Sequence, residues 1–185
     1  MKFQSYLDYF KEIIYNIQPP PPYDDALYID YTKLNWSRVN RWLKSGQIIK
    51  EMSDAIKSIN KKQTWIIITE PWCGDAAHIV PFIEIIAKTN PLITTDYELR
   101  DTAPFRIDQY LTNGSKSIPI LIIRDEHGKD LFKWGPRPTE AQIAFKKLAD
   151  EGADFETTKL ALQHWYNQDK GQSMQKELVD LFGKL

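Results

Sequence analysis

A buried strand that leads directly into a helix is the feature that most constrains this chain. Residues 64–69 read Thr-Trp-Ile-Ile-Ile-Thr, a β-branched and aromatic run that is apolar on both faces, as a central strand requires. After Pro71-Trp72-Cys73-Gly74 the apolar residues follow a helical period, at Ile79, Phe82, Ile83 and Ile86. The sequence therefore predicts an α/β layer in which the chain's single cysteine marks the junction of strand and helix.

The remaining patterns complete a mixed sheet. Apolar spacing predicts helices over 2–17, 30–44 and 48–60. Beyond the central helix, the patterns predict a strand over 92–99, a short helix over 105–111, hairpin strands over 118–123 and 130–134, a helix from 139, and helical structure over 155–185. The β-α-β unit should be parallel and the hairpin antiparallel. We expect an α/β fold with a central mixed β-sheet of about four strands flanked by helices.

The chain length and one proline cluster suggest how the chain is divided. A chain of 185 residues is by default one domain, and four successive prolines at 19–22 form an extended joint. The predicted division is an N-terminal helical extension at 1–45, an α/β domain at 46–150, and a C-terminal helical extension at 151–185.

Composition excludes several functional classes. The 24 basic and 25 acidic residues give a net charge of −1, without the basic excess typical of nucleic-acid binding. The apolar runs fall far short of the ~20 residues that span a bilayer, and charge interrupts any secretory core near Met1-Lys2. We therefore predict no nucleic-acid or membrane partner and a cytoplasmic location. One cysteine and histidines without ligand spacing predict no metal site and no cofactor.

The position of Cys73 predicts chemistry. The backbone N–H groups of a first helical turn lack intrahelical partners, and the helix dipole places partial positive charge there. A thiol at this place is stabilised as the thiolate, which is its reactive form. Gly74 lets the chain turn, whereas the charge of Asp75 opposes thiolate formation. The sequence predicts a lowered pKa for Cys73, and the negative charge of Asp75 is expected to make this decrease smaller.

Trp72-Cys73-Gly74-Asp75-Ala76 resembles the Trp-Cys-Gly-Pro-Cys motif of thioredoxins. Pro81 matches the proline that kinks the active-site helix of that family, and Ile118-Pro119 matches its cis-proline. The segment 120–135, which ends in Trp-Gly, is similar to the last hairpin of the family. The resemblance covers roughly residues 47–150 and implies a thioredoxin-like fold with a cis peptide bond before Pro119.

Three departures separate the chain from the usual dithiol members. Ala76 stands where the resolving cysteine would be, Ile67 replaces a buried carboxylate, and Asp75 replaces the proline of the motif. Without a second thiol, the chain can form a mixed disulfide but cannot release it alone. The sequence therefore resembles a single-cysteine variant of the thioredoxin motif.

Two functions follow from the resemblance and remain open. In the first, the chain is a thioredoxin-like protein of thiol–disulfide redox homeostasis. Cys73 is then the sole catalytic nucleophile of a monothiol oxidoreductase, acting on a protein disulfide and resolved by glutathione or another low-molecular-weight thiol. In the alternative, the chain is a non-catalytic module that binds a peptide, a partner protein or a second copy of itself. Fast alkylation of Cys73 near neutral pH would favour the first.

The resemblance also implies a substrate-binding set around Cys73. Trp72 would be a flat contact surface, and the backbone of Ile118 would pair with an extended substrate beside Pro119. Arg137, between two prolines, would offset the charge of Asp75 or bind a carboxylate of the partner. The predicted substrate-binding residues are Trp72, Gly74, Asp75, Ile118, Pro119 and Arg137.

Overall fold

The computed structural model describes residues 1–184, and in this range a four-stranded mixed sheet is flanked by seven α-helices. The strands are β1 Gln63–Thr69, β2 Ile93–Leu99, β3 Ile120–Arg124 and β4 Asp130–Trp134, in the order β2-β1-β3-β4. The helices are α1 Phe3–Tyr15, α2 Ala26–Ser45, α3 Lys50–Ser58, α4 Gly74–Ala87, α5 Thr139–Asp150, α6 Phe155–Asp169 and α7 Gln172–Phe182, with a 3₁₀ turn at Arg106–Gln109.

The pairing confirms the predicted topology. Strand β1 runs parallel to β2, with Gln63 opposite Ile93 and Thr69 opposite Leu99. It runs antiparallel to β3, which pairs with β4 as the predicted hairpin. The fold class is therefore the predicted α/β arrangement of a central mixed sheet flanked by helices.

Strand β1 and helix α4 form the centre of the core. Trp65 and Ile67 of β1 are fully enclosed, because helices cover the faces of the sheet. Phe182 of α7, for example, stacks on Trp65 with ring centroids 6.0 Å apart. Helix α4 is buried along most of its length, with Pro81 inside it, and it packs against α2, where the Trp42 indole meets His78. These contacts hold the start of α4 at a fixed place beside the sheet.

The N-terminal helix covers the outer strand of the sheet. The Tyr97 N–H donates to the Met1 carbonyl at 2.7 Å, which pairs the start of the chain with the free edge of β2. Tyr6 stacks on Tyr97 with ring centroids 5.4 Å apart. Helix α1 thus packs on its own domain.

The C-terminal region differs from the continuous helical pattern of the sequence. Lys170 and Gly171 both have positive φ angles, 53° and 74°, and divide the region into α6 and α7. A Cβ atom at Gly171 would lie 2.8 Å from the Phe82 ring, so this turn requires glycine. The predicted helical position Leu185 lies outside the described residues.

None of the helices in residues 1–184 combines the length and the apolar character that crossing a bilayer requires.

The burial of β1 predicts how strongly the fold depends on it. Replacing Ile67 with alanine should lower the free energy of unfolding by about 2–5 kcal/mol, because the strand cannot collapse around the lost volume. The matched control is Ile143→Ala in α5, whose side chain is 63% exposed and whose loss should cost within about 0.5 kcal/mol. Urea unfolding measures both, and equal costs would contradict the assignment of β1 as the core strand.

Candidate functional site

The sequence places Cys73 at the start of a helix, and the structure confirms this position. Cys73 is the N-cap residue of α4, and the Ala76 N–H donates to its Sγ atom at 3.4 Å. The Cys73 carbonyl accepts from the Ala77 N–H at 3.2 Å. The sulfur therefore takes one of the hydrogen bonds that the first turn of a helix leaves open.

The same sulfur contacts the segment that precedes β3. The Cys73 thiol donates to the Ile118 carbonyl oxygen, with 3.4 Å between sulfur and oxygen. The Ile118–Pro119 peptide bond is cis. A Cβ atom at Gly135 would lie 2.3 Å from the Pro119 carbonyl oxygen, and Gly135 has a φ of +121°. Only glycine allows the end of β4 to approach Pro119 this closely.

The predicted depression of the Cys73 pKa is wrong. The residue is 7% exposed, and burial followed by the negative charge of Asp75 raises the pKa of the thiol from 9.0 to about 12. The Ala76 N–H and the Arg137 charge act in the opposite direction but are weaker. Desolvation outweighs the helix N-terminus, because transferring a thiolate out of water costs more than one N–H bond returns.

Asp75 lies in a closed network of charge and hydrogen bonds. Arg137 approaches it with Nη2 at 2.7 Å from Oδ2, which is the contact required by the first of the two roles expected of Arg137. Tyr166 of α6 donates its hydroxyl to Oδ1 at 2.8 Å. Sequence reasoning missed Tyr166, because no motif connects α6 with the Cys73 turn.

His78 is a packed, neutral side chain. The Trp42 indole, which can only donate, places its Nε1 2.9 Å from His78 Nδ1. The proton of the ring therefore lies on Nε2, which donates to Gln163 Oε1 at 3.1 Å. Tyr166 stacks on the imidazole with centroids 4.6 Å apart, and burial lowers the His78 pKa to about 3. It does not serve as a general base.

Glu70 is a second titratable group near the motif that sequence reasoning missed. It follows the last residue of β1 and is 5% exposed. Its carboxylate accepts from the Tyr23 hydroxyl at 3.3 Å and from the Asp101 N–H at 3.2 Å. Burial raises its pKa to about 7. The sequence shows only an acidic residue in a linker, and its burial depends on contacts made by distant segments.

An open cleft of about 350 Å³ lies beside Cys73. Trp72 borders it, with the Arg100 guanidinium 4.7 Å above its ring. The structure thus places the predicted residues Trp72, Asp75, Ile118 and Arg137 on this cleft, together with Arg100, Ser115, Lys116, Ser117 and Pro136. Gly74 lines a different cavity, together with Arg38 of α2. The side chains of residues 1–184 form no group of three acidic, histidine or cysteine ligands that could hold a metal ion.

Comparisons with known proteins give one family match and several similar folds. A thioredoxin family model matches residues 22–150. An HIV epitope scaffold aligns over 100% of this chain and 99% of its own, with 13% identity and a TM-score of 0.59. A protein of unknown function from Pseudomonas aeruginosa aligns over 100% and 98%, with the same identity and TM-score. At this identity the two structures bear on the fold alone.

A third solved structure, part of an alkylhydroperoxide reductase from Enterococcus faecalis, is 21% identical over 54% of this chain and 47% of its own, with a TM-score of 0.41. The comparison with curated proteins gives no match.

The charges around Cys73 predict opposite effects of two substitutions. The pKa of about 12 leaves about a thousandfold less thiolate at pH 7 than a thiol of pKa 9. Alkylation by iodoacetamide should be correspondingly slow. Asp75→Asn should accelerate it, because the remaining Arg137 charge then favours the thiolate, whereas Arg137→Gln should slow it further. Mass spectrometry across pH 6–11 measures the rates, and alkylation of the unmodified protein as fast as that of free glutathione would contradict the burial argument.

Glu70 predicts a loss of stability with rising pH. A carboxyl whose pKa rises on folding, here from 4.5 to about 7, stabilises the fold fully only below 4.5, and this contribution disappears as the pH passes 7. Between pH 4.5 and 8 the native protein should therefore lose up to about 3 kcal/mol relative to Glu70→Gln. Denaturant unfolding at several pH values tests this, with the exposed Glu12→Gln as the control. Parallel pH profiles for the native protein and Glu70→Gln would contradict it.

Proposed function

The chain belongs to the thioredoxin family, and from this premise we propose that it is a binding protein that receives an extended segment of a partner polypeptide beside Pro119. The observation that carries the proposal is the enclosed thiol of Cys73, whose pKa is raised to about 12. Thiol–disulfide exchange requires the thiolate. At neutral pH Cys73 is a neutral thiol, and its hydrogen bond to the Ile118 carbonyl is a structural contact.

The residue at the position of the second cysteine of the thioredoxin motif supports the same conclusion. Ala76 occupies it, and its side chain is buried. A mixed disulfide formed at Cys73 would have no internal thiol to release it. The motif therefore retains the shape of a thioredoxin active site without its two-thiol cycle.

The cleft beside Cys73 offers what an extended polypeptide needs. Within residues 1–184 the Ile118 N–H donates to no protein acceptor, while its carbonyl is occupied by the Cys73 thiol. A partner strand can accept from this N–H, as in the addition of a strand to a sheet edge. Trp72 and Pro136 give the cleft an apolar wall that can contact a partner side chain.

A second candidate is monothiol exchange, and the hydrogen bond from the Ala76 N–H to the sulfur favours it. In this reaction the Cys73 thiolate attacks one sulfur of a partner disulfide, and the other sulfur leaves as a thiolate. An external thiol such as glutathione then attacks the mixed disulfide, which regenerates Cys73 and forms a new disulfide with the partner sulfur. This function requires partner binding to lower the Cys73 pKa.

Peptide selection distinguishes the two functions. Peptides selected from a random display library should bind the native protein and Cys73→Ser with equal affinity, measured by fluorescence anisotropy under reducing conditions. Ser117→Trp, which fills the cleft, should weaken binding by about tenfold or more. The control Ser58→Trp, at an exposed position of α3, should have no effect.

Two results of this experiment would contradict the binding proposal. Capture of cysteine-containing peptides only without reductant, and its loss in Cys73→Ser, would replace the binding proposal with monothiol exchange. Failure to select any peptide whose binding depends on residue 117 would contradict the proposed cleft.

A further inference from the structure

We propose that a cavity beneath α6 binds a small organic monocarboxylate with a flat apolar body. The cavity lies between α2, α4, α5 and α6 and has a volume of about 180 Å³. It shares Trp72, Asp75 and Arg137 with the cleft beside Cys73, but Cys73 itself does not line it. This site goes beyond the proposed function, because it would take a free small molecule instead of a polypeptide.

The shape and the walls of the cavity suit one aromatic ring. An apolar cavity of roughly 150 Å³ is enough to bind benzene. The apolar lining consists mainly of aromatic and aliphatic side chains from the turn before α4, from α5 and from α6: Trp72, Phe145, Phe155, Leu162 and Tyr166. Phe155 remains 66% exposed, so an apolar ring that meets it would cover surface that the protein itself leaves open.

Arg38 supplies one unbalanced positive charge on the lining. Its guanidinium is partly buried and donates to the Asn35 side chain at 2.7 Å. Among the described residues no carboxylate lies within 4.0 Å of it, whereas the two other cations of the lining, Arg137 and Lys159, pair with Asp75 and Glu156. Burial, followed by the charge of Arg41, lowers the Arg38 pKa to about 10, as expected of a cation that lacks a counterion.

The other charges of the lining do not supply that counterion. Asp75 is the one carboxylate among the lining residues within 1–184, and Arg137 and Tyr166 already occupy it. His78, with a pKa of about 3, is neutral at physiological pH. With these groups paired or neutral, the charge of Arg38 is the one that remains, and a ligand with a single negative charge would balance it.

Arg137 provides a second, independent indication of a ligand. Its Nη2 is bound to Asp75 and its Nη1 donates to Gln142 at 3.3 Å. Its Nε–H is shielded from solvent and has no acceptor among residues 1–184. Buried donors are almost always satisfied, and a carboxylate is a strong acceptor for a guanidinium. Arg38 of α2 and Arg137 of the loop before α5 both line this cavity, so two guanidinium groups border the space that a carboxylate would enter.

Benzoate is a suitable probe, with the neutral isostere benzamide as its control. Titration calorimetry of the full chain should give saturable binding of benzoate and none of benzamide. Arg38→Gln should weaken benzoate binding by about tenfold or more, since a hydrogen bond to a charged group is lost. The matched control is Arg41→Gln, one turn further along α2 and exposed, which should retain the affinity.

Two further measurements keep the proposal testable if Arg38→Gln is poorly folded. Thr158→Trp fills the cavity without changing its charge and should abolish binding. In the native protein, benzoate should shift the ¹H–¹⁵N signal of Arg137 Nε–H. Cys73→Ser should bind benzoate normally, whatever the outcome of the peptide experiment. Absence of saturable benzoate binding, equal binding of benzamide, or full affinity in folded Arg38→Gln or Thr158→Trp would overturn the proposal.

Discussion

The burial of β1, with β2 and β3 on its two edges, is the constraint on which the rest of the structure depends. Because β1 is paired on both edges and buried, the position of Thr69 at its end is fixed, and so is the start of the turn that follows. Helix α4 begins at that turn, and β3 enters the sheet next to it with Ile118-Pro119. The Cys73 sulfur joins these two segments through the Ile118 carbonyl. The burial and the hydrogen bonding of the thiol therefore depend on how β1 and β3 are placed in the sheet.

The sequence predicts correctly those strands and helices whose hydrophobic pattern is clear from the local residues alone. The isoleucine run at 66–68, the helical stripe after Gly74 and the hairpin around Gly128 each formed where expected. The sequence predicts the Cys73 pKa in the wrong direction. The helix N-terminus is visible from neighbouring residues, whereas the burial of the thiol depends on segments about 45 residues away, such as Ile118. The break at Gly171 depends on the distant Phe82 ring, and no local pattern encodes that contact.

Helix α6 links the C-terminal region to the Cys73 turn. The thioredoxin family match ends at residue 150, yet Tyr166 and Gln163, beyond it, hydrogen bond with Asp75 and His78 of α4. Asp75, whose charge adds to burial in raising the pKa of the thiol, is thus itself held in place by a helix outside the family match. We propose that residues 151–185 form an extension that adapts this thioredoxin fold, both by fixing Asp75 and by closing the cavity that Arg38 lines.

The enclosed sulfur has a consequence for how this molecule meets oxidants. Oxidation of cysteine to sulfenic acid and beyond follows thiolate character and solvent access, and Cys73 has little of either. As the chain carries no other cysteine, it has no ready group for covalent dimers, glutathione adducts or overoxidation. In the binding function proposed above, the protein would therefore bind its partner equally well in reducing and in oxidising surroundings.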